Sequence, residues 1–206
     1  MLVSIDWQVL ERSLPPGGLL KFRADVAARI WPDEDAARFA VEYGVPHSGG
    51  LFRALPGLVE RDPASPDSVF EDGLPADPLE TPAGLLQPLG MVYQSEVFVR
   101  PADGTIWICD PDRSLDESPD EAGEAAGETF EFDELVFELA HRDLSSFSYT
   151  VYKVEAERPG PEDDPYPDDW AAIMDLIRKR VTAWDRQPFR SGAHFWEMFL
   201  DSYPML

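Results

Sequence analysis

The chain has 206 residues, which is long enough for one domain with a hydrophobic core and short for two. Asp and Glu number 40 against 17 Lys and Arg, which gives a formal net charge of −23. This charge argues against direct binding to nucleic acid, because attraction to phosphates dominates that affinity. It permits a basic protein partner, and it serves solubility equally well.

A single cysteine, Cys109, excludes an internal disulfide and a cysteine-based zinc cluster. It lies in an apolar segment without a nearby histidine, so a small buried hydrophobe is favoured over a nucleophile. No segment has the roughly 20 apolar residues that cross a bilayer. The first residues lack the basic and apolar pattern of a signal peptide. We therefore expect a cytoplasmic protein without membrane contact.

The best-delimited helix is predicted to begin after Asp33, the expected N-cap. Before it, residues 5–10 form a short amphipathic segment. The sequence leaves the secondary structure of residues 19–30 open. Gly44 stands where a left-handed C-cap is wanted, and Pro46 prevents continuation. The apolar residues of this helix fall on one face, at Ala36, Phe39, Ala40 and Tyr43.

Residues 47–88 are rich in Pro, Gly and Asp and predict irregular loops with short strands, with an active-site lid as the alternative. The strongest strand signal follows, with one strand predicted over residues 91–100 and its partner over 105–109. The connection between them suits a type I turn followed by a left-handed residue, Gly104. Both faces of the first strand carry apolar residues, so we expect a larger sheet with helices on one side.

Residues 114–129 are nearly all acidic or small, and we interpret them as a mobile acidic loop. Residues 130–140 predict a strand leading into a helix, and Asp143 is the expected N-cap of the next helix. The longest helix is predicted over residues 168–186, and an aromatic one over 191–203. These two C-terminal helices are expected to dock on the sheet or to pair with another chain.

The sequence contains no arrangement that catalysis or cofactor binding requires. His47, His141 and His194 are isolated, and the glycine run after His47 lacks the lysine of a phosphate-binding loop. The acids from Asp110 onward lack the glycine and glutamate spacing of a calcium loop. We therefore predict a protein that is not an enzyme, with no catalytic, cofactor-binding or metal-binding residues. A site assembled from scattered carboxylates remains the alternative.

Three stretches in order resemble a known family. Residues 39–46 (FAVEYGVP) are a helix end with a Gly-hydrophobe-Pro turn, and residues 89–107 give a strand, turn and strand ending in GTIW. Residues 141–147 (HRDLSSF) are a polar cap before a Leu-x-x-Phe helix. Together they are similar to the SUKH superfamily (SMI1/KNR4-like), and most like its SUKH-4 branch found in actinobacteria. The resemblance is strongest over residues 33–155 of a single domain spanning 1–206, which leaves 156–206 as a C-terminal helical extension.

This resemblance implies an α+β fold, with a central, mostly antiparallel sheet and helices packed around it. It also implies an immunity protein that binds and neutralises a toxin delivered by competing bacteria, often a nuclease or a nucleic-acid deaminase. The resemblance assigns no catalytic residues to this chain. The acidity suits a basic cognate toxin as the partner, without nucleic acid or membrane. The alternative is an intracellular scaffold or regulatory protein-binding module of the SMI1/KNR4 type, and the sequence does not indicate an oligomeric state.

Overall fold

The helices lie mostly at the two ends of the chain, and the strands lie between them. The computed structural model describes residues 2–15, 17–47, 50–55, 57–60, 77–110, 129–132, 135–157, 170–191 and 193–202. In these ranges the helices are α1 (Trp7–Ser13), α2 (Ala24–Ile30), α3 (Glu34–Glu42), α4 (Leu144–Ala156), α5 (Trp170–Thr182) and α6 (Phe195–Ser202). The strands are β1 (Leu19–Leu20), β2 (Val45–Pro46), β3 (Phe52–Ala54), β4 (Leu79–Thr81), β5 (Gly84–Val92), β6 (Ser95–Val99), β7 (Ile106–Asp110), β8 (Thr129–Phe132) and β9 (Leu135–His141).

The main sheet has the strand order β3-β5-β6-β7-β9-β8, and β4 pairs with the first part of β5. Each of its pairings is antiparallel, and β1 and β2 form a separate antiparallel pair. Helices pack against one face of the main sheet, as the mixed faces of the central hairpin predicted. The predicted fold class, a single α+β domain around a mostly antiparallel sheet, is confirmed.

The apolar core divides into two parts because the sheet buries both faces. The larger part joins the helices to one face, where Val97, Val99 and Ile106 are fully buried. The smaller part lies on the other face and consists of Leu86, Phe98, Trp107, Cys109 and Phe137. The thiol of Cys109 is 2% exposed, so its predicted role as a small buried hydrophobe is confirmed.

Local capping signals placed two helices correctly. The Asp33 side chain accepts a hydrogen bond from the Ala36 backbone N–H at 2.9 Å, and α3 begins at the next residue. Asp143 caps α4 in the same way, through the Ser146 N–H at 2.9 Å. Gly44 has φ +64°, the left-handed conformation predicted for the end of α3. These signals succeed because the bond that makes each cap lies within the first turn of its own helix.

The prediction of one strand over residues 91–100 is wrong. The segment turns back at Tyr93 and Gln94, so that Val92 of β5 pairs with Ser95 of β6. Tyr93 adopts φ +55°, a conformation that glycine or asparagine usually supplies in such a turn. Residues 91–100 were therefore predicted as one continuous strand, since neither Tyr93 nor Gln94 is a residue type that usually marks a hairpin turn. The second turn was predicted correctly: Gly104 has φ +76°, and its N–H donates to the Arg100 carbonyl at 2.8 Å.

Two further boundaries differ from the sequence predictions. Residues 130–140 were expected to pass from strand to helix, but 130–132 and 135–140 lie in two antiparallel strands, β8 and β9. The helix expected over residues 168–186 ends at Thr182, and the chain then makes a turn that brings Asp185 inside. Residues 19–30, whose type the sequence left open, contain strand β1 and helix α2.

The two C-terminal helices are attached to the rest of the domain by buried polar contacts. The carboxylate of Glu138, on β9, accepts hydrogen bonds from the backbone N–H groups of His194 and Phe195 just before and at the start of α6. The Trp170 indole N–H of α5 donates to the Leu200 carbonyl of α6 at 3.1 Å. Docking on the domain, one of the two expected arrangements, is therefore what the structure shows.

Several predictions concern segments outside the described residues. They are the acidic loop, of which 114–128 is not described, all of residues 61–76, and the Pro-rich segment 158–167. For these segments the sequence predictions stand as predictions.

Candidate functional site

Three loops that are distant in sequence meet around one cleft of about 460 Å³. The connection from α2 to α3 contributes Trp31 and Asp33. The turn between β6 and β7 contributes Asp103 and Gly104, and the start of α4 contributes Asp143. The cleft lies within the range of about 300–1,000 Å³ that is usual for ligand pockets.

Two of the carboxylates in the cleft belong to helix N-caps. Asp33 and Asp143 each use one oxygen, Oδ1, to accept the N–H of their own first turn. The positive ends of α3 and α4 therefore point towards the cleft, and each is offset by a full negative charge. The sequence predicted both caps individually, but it carries no local signal that the two would face one cavity.

The third carboxylate, Asp103, is held by its own turn. Arg100 donates from Nε to Oδ1 at 3.0 Å and from Nη2 to Oδ2 at 2.6 Å, and Thr105 adds a backbone and a hydroxyl hydrogen bond. Burial raises the pKa of Asp103, but the hydrogen bonds from Arg100 and Thr105 outweigh it and leave that pKa below its usual value. Asp103 is thus a fixed negative charge at neutral pH.

The cleft lining is negative overall. It has four carboxylates, those of Asp33, Asp35, Asp103 and Asp143, against the single guanidinium of Arg142, which gives a formal charge of −3. Arg142 lies beside Asp143, at 3.2 Å from Nε to Oδ2. Asp35 pairs with Arg38 on the same helix. Asp33 has no cationic partner among the residues that the structure describes.

A buried polar network lies next to the start of α4, which is one of the three segments that line the cleft. Asp185 is 5% exposed, and its Oδ2 accepts from the Ser146 hydroxyl at 2.6 Å and from the Arg142 N–H at 3.0 Å. His141 is fully buried, with Nδ1 at 3.1 Å from the Ser146 hydroxyl and 3.7 Å from Asp185 Oδ2. The closer contact identifies Ser146 as the direct partner of the ring. Since Arg142 and Ser146 flank Asp143, the network fixes the start of α4.

These three residue types suggest a catalytic triad, but their connections do not form one. The Trp196 indole N–H donates to His141 Nε2 at 2.8 Å, so Nε2 is an acceptor and the ring proton lies on Nδ1. An activated serine needs a ring nitrogen that accepts its proton. The Ser146 hydroxyl instead directs its proton to Asp185. The group joins β9, α4, α6 and the turn after α5, and its role is to hold them together.

The remaining histidines that the sequence analysis considered are in separate places. His47 Nδ1 lies 3.0 Å from the Phe52 carbonyl, and the His194 N–H bonds to Glu138. In the described ranges, no three His, Cys, Asp or Glu side chains converge as a metal site would require. The possible calcium loop and the glycine run after His47 extend into residues 111–112 and 48–49, which lie outside those ranges. None of the helices described is long and apolar enough to span a membrane.

Sequence reasoning missed two residues of this region, Trp31 and Asp185. The sequence pattern gave Trp31 no role, yet it lines the cleft with 2% of its surface exposed. Asp185 was placed within a helix, where an acid normally faces solvent. The available signal was its position between a tryptophan and Gln187-Pro188, a place where a helix is more apt to end than to continue.

Comparison with known proteins gives one match. The family model for the SUKH-4 immunity protein matches residues 5–202, nearly the whole chain. The chain belongs to the SUKH-4 immunity protein family. No curated protein and no solved structure matches it significantly. The match includes α5 and α6 as well as the stretches on which the resemblance was first seen.

Membership associates the chain with toxin immunity and implies the binding of a cognate toxin. Immunity proteins of this kind are generally non-enzymatic. Both statements apply to SUKH-4 proteins as a class.

Proposed function

We propose that this SUKH-4 protein binds a cognate toxin that acts on nucleic acid, a nuclease or a deaminase, and neutralises it without catalysis. The family match carries the proposal, because it associates the chain with immunity. In this proposal the protein works in the cytoplasm of the toxin-producing cell. It forms a stoichiometric complex that blocks the active site or substrate groove of the toxin.

The charge of the chain supports the kind of toxin proposed. Proteins that bind nucleic acid present basic surfaces, because phosphate contacts supply much of their affinity. A protein of net charge −23 attracts such a surface over long distances and docks on it in place of the nucleic acid. In the described part of the chain, exposed carboxylates occur on several elements, including Asp25, Glu34, Glu60 and Glu80.

Neutralisation is tested with the toxin encoded beside the gene. The toxin domain is expressed in a susceptible host with and without this protein, and growth and nucleic-acid integrity are measured. We expect growth to be restored and a one-to-one complex to be recovered. If the toxin still kills and no complex forms, the immunity proposal is wrong. Capture of a resident protein instead would favour the scaffold alternative.

Long-range attraction between this acidic protein and a basic toxin predicts a strong effect of salt on the rate of their association. Raising the ionic strength from about 0.01 M to about 1 M shortens the Debye length from about 30 Å to about 3 Å. We expect the association rate constant to fall about tenfold or more, since steering contributes factors of about 10–1,000. Stopped-flow fluorescence measures this rate, and the dissociation rate serves as an internal control because it should change less. An association rate independent of salt would contradict the acidic interface.

A further inference from the structure

The turn that joins β5 to β6 has a backbone conformation that its residue type disfavours. Tyr93 and Gln94 form this turn, since the last pair of the hairpin is Val92 with Ser95. Tyr93 has φ +55°, and no other non-glycine residue in the described ranges has a positive φ. Glycine is usual at the first position of such a two-residue turn, because it adopts this conformation without steric cost. A tyrosine at this position lowers the stability of the fold, which points to another use for its side chain.

Backbone contacts hold this turn in place, while the Tyr93 side chain has no comparable partner. The Tyr93 N–H donates to the Leu51 carbonyl at 3.3 Å, and the Leu51 N–H donates to Glu155 Oε1 of α4 at 3.1 Å. Tyr93 is 44% exposed. In the part of the chain that the structure describes, its ring meets no other aromatic ring and its hydroxyl has no hydrogen-bond partner. The turn is therefore a fixed support for an aromatic side chain that the domain itself does not use.

A half-buried carboxylate without a counter-charge lies beside the turn. Glu96 pairs with Met91, in the register position next to the last pair of the hairpin. Burial raises the pKa of Glu96, and no hydrogen bond or ion pair to a described residue offsets this burial. Arg53 of β3 is on the far side of Met91, which separates it from Glu96. Three residues of chain span at most about 11 Å, so one partner surface can reach both Tyr93 and Glu96.

These two features restrict the chemistry of the partner. The exposed Tyr93 ring is buried best by an apolar depression, because an aromatic side chain brings a large apolar area to an interface. Further burial of Glu96 is unfavourable unless the partner supplies a cation and hydrogen-bond donors. Arginine satisfies both requirements most fully, since its guanidinium group bonds carboxylates in a bidentate manner and also packs on aromatic faces.

We propose that the β5–β6 turn is the anchor through which this protein docks on its toxin, with Tyr93 in an apolar depression and Glu96 paired with an adjacent arginine or lysine. This inference rests on the proposed function and specifies the contact surface of the complex. Tyrosine is one of the residue types enriched among interface hot spots. The net acidity of the chain favours a basic partner, so the long-range attraction and the local contact require the same charge on the toxin.

The first test uses Tyr93→Gly, which removes the ring and relieves the backbone. We expect the affinity for the purified toxin domain encoded beside the gene, measured by isothermal titration calorimetry, to fall about tenfold or more. The urea midpoint should not fall, because glycine adopts this φ freely. Leu85→Thr is the matched control, since Leu85 is 45% exposed near the other end of β5, and its affinity should stay within about twofold. A Tyr93→Gly protein that loses stability together with affinity would show that Tyr93 serves its own fold, and would contradict the proposal.

The second test uses Glu96→Gln, which keeps the shape of the side chain and removes its charge. We expect toxin affinity to fall about tenfold or more, because the partner cation is left without its counter-charge. The urea midpoint of the free protein should be unchanged or higher, since a partly desolvated charge is removed. Glu80→Gln is the matched control, because Glu80 is exposed on β4 opposite Leu85, and it should change affinity by no more than about twofold.

The outcomes separate the turn from the general function. If the wild type neutralises the toxin and both Tyr93→Gly and Glu96→Gln bind it as tightly as their controls, the turn is not the anchor and immunity stands. If the wild type binds no toxin, the proposed function is wrong and the docking proposal falls with it. Gel filtration of the protein alone examines a third occupant. A wild-type dimer that Tyr93→Gly dissociates would place a second copy of this chain on the turn, and would overturn the proposal.

Discussion

Replacing Asp185 by alanine is expected to lower the free energy of unfolding by about 3–5 kcal/mol, because three donors lose their acceptor and each buried donor left without one costs about 1–3 kcal/mol. Its Oδ2 accepts from the Ser146 hydroxyl and from the Arg142 N–H, and its Oδ1 accepts from the Gln187 N–H. In the variant the buried Ser146 hydroxyl and the two part-buried N–H groups remain without their acceptor, which is the costly part of the change.

Urea unfolding followed by far-ultraviolet circular dichroism measures this loss. Asp175→Ala is the matched control, since Asp175 is on the neighbouring α5 and its side chain is 77% exposed beside Arg178. Exposed ion pairs contribute about 0–1 kcal/mol, so the control should change stability little. Equal losses in the two variants would mean that the buried network around His141 contributes no more than a surface pair.

The same carboxyl group predicts how stability depends on pH. Burial raises the pKa of Asp185, but its interaction with the His141 ring and the hydrogen bonds from Ser146 and Arg142 outweigh burial and lower that pKa well below its usual value. A folded pKa below the unfolded value of about 3.9 gives stability that is fully present above the unfolded pKa. That contribution is lost as the pH falls through the folded pKa.

Acid titration of stability therefore distinguishes the wild type from Asp185→Asn. Below about pH 4, the wild-type urea midpoint should fall more steeply with decreasing pH than the midpoint of the variant, which has no carboxyl group to protonate at this position. Above that pH the wild type should be the more stable of the two by a constant amount. Parallel curves over the acid range would show that the Asp185 pKa is not lowered by folding.

The contrast between Asp143 and Asp185 shows what the sequence could reveal. Asp143 bonds within its own helical turn, so the residue type and its position before an apolar run were enough to place it. Asp185 bonds to the Ser146 hydroxyl, 39 residues away, and no local pattern specifies that partner. The cleft could not be predicted from the sequence for the same reason, because only the tertiary fold brings its three loops together. Tyr93 was missed for another reason, since it occupies a turn conformation that its residue type disfavours.

The second large effect is expected at Gly44, which lies in one of the stretches that first indicated the family. Gly44 has φ +64°, and a Cβ there would stand 1.9 Å from the Leu20 carbonyl oxygen. The Gly44 carbonyl also accepts from the Ser148 hydroxyl of α4 at 2.6 Å. A side chain at this position would therefore push the end of α3 away from β1 and disturb the contact with α4.

Gly44→Ala is expected to lower the free energy of unfolding by about 2–5 kcal/mol, the sum of left-handed backbone strain and overpacking. Gly57→Ala is the matched control, because Gly57 has φ +83° but nothing lies within 4 Å of its Cβ position. The free energy of unfolding of that variant should fall by only about 1–2 kcal/mol, the cost of the left-handed backbone strain alone. Chemical unfolding of both proteins measures the difference, which isolates the close approach of α3 to β1. If the two alanines cost the same, backbone conformation alone accounts for the glycine, and the packing of Gly44 against Leu20 does not constrain this part of the fold.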